Sequence, residues 1–159
     1  MWILVAVVTS VAGAALHFLY DLVPNVLTAV VSPINESIWE HLKLLFWPML
    51  AGAAVLSGRA KNKPRLWGAF FAALLAAPAF LLTSYYGLKA LGIDSLAVDI
   101  SLYFASMFLG YMLARCLYRR RRPENIAGFL LMLVILYGAS LVLFTFAAPP
   151  LPIFQEMTP

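Results

Sequence analysis

The chain has 159 residues, 64% of them hydrophobic and 11% charged, with a mean hydropathy of +0.91. A soluble domain of this length carries about 25% charged residues; this composition cannot cover itself with polar groups, so lipid must form part of its solvent. The net charge of +4 does not point to nucleic acid, because the basic residues lie in short runs between apolar segments, and Cys116, the single cysteine, excludes an intramolecular disulfide or a thiolate cluster.

Taken in chain order, the apolar runs predict an all-α fold, a single polytopic transmembrane bundle of five helices at about 2–23, 33–57, 66–90, 95–118 and 125–147. Barrel strands would alternate with period two, and these runs do not. The first run lacks a basic leader and is long, which argues against a cleaved signal peptide. The second opens on Ser32-Pro33, read as a helix cap followed by proline at the first helical position, with Glu36 in the first turn where the helix dipole favours a negative charge. Pro78 is a candidate kink in the third. The fourth carries Asp99 as its one acid before the basic run, and the fifth carries no charge. The proline-containing end, with Pro149, Pro150 and Pro152, is expected to be an extended external segment. Small residues such as Gly52, Gly58, Gly110 and Ala114 permit close helix packing, and a dimer through a span face stays open.

Nine of the eleven basic residues fall in 58–65 and 115–123. Cytoplasmic loops carry such excess. This places the N-terminus in the cytoplasm, the C-terminus outside, and the chain in the plasma membrane as a multi-pass protein. Both histidines and five of the seven acids then gather toward the outer face. His17 and Asp21 share a face of the first helix, and Glu36 and Glu40 share a face of the second, with His41 beside them.

Charge in hydrocarbon is costly and usually marks function or a paired partner. One reading is a divalent metal such as zinc held by His17, Asp21, Glu36, Glu40 and His41, the ligand types for zinc, iron or manganese. Such a metal could activate water for hydrolysis, although no His-Glu-x-x-His pattern is present. Another is an outward-facing polar pocket for a small polar or cationic ligand, with Asn35, Trp39, Lys43, Tyr86, Asp99 and Tyr103 around it. The bland reading is that the same side chains only join helices or bind a partner subunit.

The stretch Ser32-Pro33-Ile34-Asn35-Glu36-Ser37-Ile38-Trp39-Glu40-His41-Leu42-Lys43-Leu44-Leu45-Phe46-Trp47-Pro48, preceded by His17-Phe18-Leu19-Tyr20-Asp21, resembles a bacterial family of small multi-pass integral membrane proteins with no assigned function. The resemblance implies a polytopic bacterial membrane protein and brings no activity, cofactor or catalytic residue. Ceramidase-like membrane hydrolases surround zinc with several histidines, and this chain has two. The Trp-Pro-rich signature of small tryptophan-rich sensory proteins is not present.

Overall fold

The computed structural model describes residues 1–120 and 125–156; Arg121, Arg122 and Pro123 of the second basic run lie outside the described residues. The described residues form α1 (Trp2–Leu16), α2 (Leu19–Leu22), α3 (Val26–Val31), α4 (Ile38–Ser57), α5 (Lys63–Ala90), α6 (Leu96–Arg119) and α7 (Ala127–Phe146), followed by a 3-10 turn at Pro152–Phe154. Three of these, α5, α6 and α7, are long and apolar enough to cross a membrane. α1 is a shorter apolar helix, and α4 carries Glu40, His41 and Lys43 in its first two turns.

α4 is the central helix. It packs against α1, α5, α6 and α7, and Leu42, Leu45, Met49 and Ala53 are buried along it. The outer helices turn apolar stripes away from it. On α6 the exposed residues Leu96, Ile100, Phe104, Phe108 and Met112 recur every fourth position, a single helical face. Such a continuous apolar face is not stable against water.

Two helix boundaries differ from the expectation. The first helix stops at Leu16 rather than near 23, and α4 starts at Ile38 rather than 33. Ser32 accounts for the first change. Its Oγ donates to the Leu16 carbonyl (2.6 Å) and accepts from the Tyr20 N–H (3.2 Å). A residue assigned as a helix start thus satisfies the end of another helix. α4 takes its cap from Ser37, whose Oγ accepts from the Glu40 N–H (3.3 Å). Glu36 consequently lies in the connecting loop, not in a first helical turn.

The loop is held by a buried ion pair. Lys43 is 0% and Glu40 3% exposed at the side chain, with Nζ and Oε2 2.6 Å apart. An ammonium has three donors. Nζ also donates to the carbonyls of Ala29 (2.8 Å) and Ser32 (3.3 Å), so all three are used. Glu40 Oε2 accepts from the Ile34 N–H (3.0 Å), and Oε1 accepts from the Thr145 hydroxyl on α7 (3.0 Å). One carboxylate and one ammonium thereby tie α3, residues 32–37, α4 and α7 together.

The two ends of the bundle differ in charge. Arg59 lies 3.1 Å from the Met1 sulfur, and Trp2 packs on Phe70 and Tyr118, so the N-terminus, residues 58–65 and the end of α6 share one end. The end of α1 and the starts of α4 and α6 form the other. There the chain after α7 folds back instead of extending away. Trp39 packs between Phe144 and Phe154, and the Glu156 backbone pairs with Ser37.

Glu40→Gln removes the counter-charge from a fully buried ammonium, and is expected to cost about 3–5 kcal/mol. Glu40→Gln with Lys43→Met removes both charges and should cost less than Glu40→Gln alone. Thermal unfolding of the two variants in detergent measures the difference.

Candidate metal centre

His17 follows the last residue of α1, and His41 sits one turn into α4. The loop fixed by Lys43 and Glu40 presents Glu36 between them. The two Nε2 atoms are 3.1 Å apart, and Glu36 Oε2 is 3.6 Å from His17 Nε2 and 3.4 Å from His41 Nε2. Two imidazoles and a carboxylate so arranged can hold a metal ion. A point about 2 Å from all three atoms lies close to their plane, and zinc binds histidine nitrogen and carboxylate oxygen at about 2.0–2.2 Å. Neighbouring donors of a tetrahedral ion are then roughly 3.3–3.5 Å apart.

The orientation of His41 is set by its own helix. Its Nδ1–H donates to the Ser37 carbonyl (2.8 Å), which leaves Nε2 with a free lone pair. Metal-binding histidines are commonly held this way, with the second nitrogen donating to a backbone carbonyl. Without a metal, His17 Nε2–H donates to His41 Nε2. A bound metal would need a lone pair on both Nε2 atoms, and His17 would then carry its proton on Nδ1. That atom is buried and has no hydrogen-bond partner among the described residues, so His17 is the less well-supported ligand of the two.

The triad borders a cavity of about 460 Å³ between α1, α4, α5 and α6. Asp99 and Tyr103 line it as well. The Tyr103 hydroxyl donates to the Ser10 carbonyl (2.8 Å) and lies 3.4 Å from the Leu44 carbonyl, whose usual helical donor is absent because residue 48 is proline. Gly13 makes room, since a Cβ there would collide with the Tyr103 hydroxyl and the Leu44 carbonyl.

The remaining residues singled out from sequence lie elsewhere. Glu40 and Lys43 spend their polar atoms on each other, on the loop, on α3 and on α7, so both carboxylate oxygens of Glu40 are already engaged. Asp21 is exposed on α2 and is not among the ligand atoms that gather within 4.8 Å of one another. Asn35 Oδ1 accepts from the Ser37 N–H within the loop. Trp39 is packed under the C-terminal turn, and Tyr86 is largely exposed beside Tyr85. The sequence reading did not single out the apolar walls, which include Leu44, Leu45, Leu81 and Ile100. The fourfold spacing of Leu96, Ile100 and Phe104 was the available signal for one of them.

In metal-free protein the hydrogen bonds predict opposite neutral tautomers, Nδ1–H at His41 and Nε2–H at His17. Two-dimensional imidazole nitrogen NMR reads this directly, and Nε2–H at His41 would contradict it.

Neither a curated protein nor a solved structure matches the chain. The model of a family described as a family of unknown function, DUF6512, matches residues 1–158, and the chain belongs to that family.

Proposed function

We propose that the chain is a five-span plasma-membrane protein that binds a divalent metal, zinc by preference, through His17, Glu36 and His41 near the outer membrane face. The single observation that carries this reading is the triangle of two Nε2 atoms and one carboxylate oxygen at 3.1, 3.4 and 3.6 Å. Glu36 forms no hydrogen bond to either ring among the described contacts, yet its Oε2 lies within ion-pair distance of both. A tetrahedral ion would use that oxygen as its third donor, which a pair of hydrogen-bonded imidazoles would not.

The set offers three protein ligands, which leaves the fourth position of a tetrahedral ion for water or substrate. Structural zinc sites are closed by four protein ligands, whereas catalytic ones keep a position open. This favours a hydrolytic use of the metal over a purely structural one, with bound water as the nucleophile. Asp99, in the same cavity, would be a carboxylate available as the base for such a water.

The five-span arrangement adds α1 and α4 to α5, α6 and α7. Two features support it. Antiparallel succession brings 58–65 and the end of α6 together with the N-terminus, and these are the basic segments that remain in the cytoplasm. Moreover, α4 can cross a bilayer because its charges are paired inside the bundle. α1 spans about 22 Å, less than a hydrocarbon core of about 30 Å. The short helices α2 and α3, with Leu22, Val26 and Leu27 exposed, would complete the outer leaflet as an interfacial cap.

Purified protein should bind about one zinc per chain in equilibrium dialysis. His41→Ala and Glu36→Ala should each weaken binding at least ~10-fold, while Asp21→Ala should leave it unchanged. Equal zinc binding in all four proteins would sink the assignment. For topology, single cysteines in a Cys116→Ser background should divide cleanly. Leu91→Cys should react with an impermeant maleimide on intact cells, and Ser57→Cys only after lysis; the reverse would overturn the orientation.

A further inference from the structure

The cavity beside the triad has the wrong walls for a small polar solute. Beyond the triad and Asp99, its polar groups are the hydroxyls of Tyr85 and Tyr103. Tyr103 already donates to Ser10, and Tyr85 lies 3.4 Å from Lys89 Nζ. A sugar or amino acid would leave most of its polar atoms unpaired against leucine and isoleucine side chains, and unpaired buried polar groups are costly. The polar groups are also segregated. His17, His41 and Asp99 lie at helix ends and Glu36 in the loop before α4, whereas Leu44, Leu45 and Leu81 lie one to two turns or more further into the bundle.

The mouth is apolar too. Phe18 is 61% exposed, and Leu96, Ile100 and Phe104 are 75, 49 and 41% exposed, yet all four line the cavity. Leu96, Ile100 and Phe104 belong to the outward stripe of α6. The opening therefore runs sideways between α1 and α6, onto the surface that meets lipid chains, over about 12 Å of helix. A ligand that reaches the triad by this route comes out of the bilayer.

We infer that the cavity is a lateral binding site for a single-chain lipid, with its acyl chain between Leu45, Leu81, Ile100 and Phe104 and its head-group carbonyl oxygen on the open position of the metal. The inference rests on the metal reading proposed above. The volume of about 460 Å³ suits one chain, in the ordinary range for small-ligand sites. The shared chemistry is an acyl carbonyl at the end of an unbranched chain, supplied by a free fatty acid or by a monoacylglycerol.

Zinc-loaded protein in phosphatidylcholine nanodiscs is photolabelled with two probes, a palmitic acid and a monopalmitoylglycerol, each with a diazirine on the chain. Labelled peptides are mapped by mass spectrometry, and zinc is measured on the same samples. The expected result is saturable labelling concentrated on peptides holding Leu81, Ile100 and Phe104 with at least one probe, and which probe labels tells acid from ester. Labelling should fall about tenfold in Leu81→Trp and in Ile100→Trp, and about tenfold on zinc removal, while both variants keep their zinc. Ile100 is half-exposed, so its replacement tests the mouth without filling the core. Labelling spread evenly over the lipid-facing stripes, with zinc bound, overturns this inference and leaves the metal site standing. Cavity labelling that ignores zinc removal overturns the head-group contact. Protein that binds no zinc overturns both readings at once.

Discussion

The arrangement depends on one buried charge pair. Lys43 and Glu40 lie on a single turn of α4 with almost no exposure, where neither charge is tolerable alone. Their remaining hydrogen-bonding capacity is satisfied by backbone and by Thr145. Because those backbone groups belong to Ala29, Ser32 and Ile34, the pair folds residues 32–37 back over the helix start. That placement makes Ser37 the cap, aims the Ser37 carbonyl at His41, and stands Glu36 opposite the two rings. The charges that look most like ligands thus build the frame, and a less buried carboxylate faces the histidines.

The proposed metal centre at the end of an apolar cavity would reconcile two otherwise conflicting features. The chain is poor in charge, yet it concentrates histidine and carboxylate at one end of its bundle. Around the proposed ion, a side chain on the central helix supplies the best-oriented ligand, and the start of the outer stripe of α6 supplies a route from lipid. Polar chemistry is confined to the helix ends, where polar side chains are least costly, and the deeper walls stay apolar.

Much of the fold was legible because hydrophobic length and charge placement are first-order constraints in such a chain. The helical class follows from long apolar runs, and the separation of basic from acidic ends follows from Arg59 to Arg65 and from His17 to Glu40. The helix boundaries were harder. Ser32-Pro33 has the form of a helix start, but the Ser37-Ile38-Trp39-Glu40 segment also has the pattern of a capping residue followed three places later by glutamate. The choice between them is made by Lys43, a tertiary contact that local pattern does not report. The same contact takes Glu40 away from the histidines. Helical spacing pairs it with Glu36, but the loop removes Glu36 from the helix and turns the two carboxylates to different partners. His17, Glu36 and His41 are legible in the sequence as ligand-type residues near one another, whereas their apolar surroundings depend on how α1, α5 and α6 converge.

The proposed site is defined by the donors that would surround the ion. X-ray absorption at the zinc edge of the zinc-loaded protein in detergent tests it most directly. It predicts a four-coordinate ion with two imidazole nitrogens and oxygen donors, all at about 2.0–2.2 Å, and loss of one imidazole's outer-shell scattering in His41→Ala. A spectrum with no imidazole scattering, or one identical in His41→Ala, would contradict it.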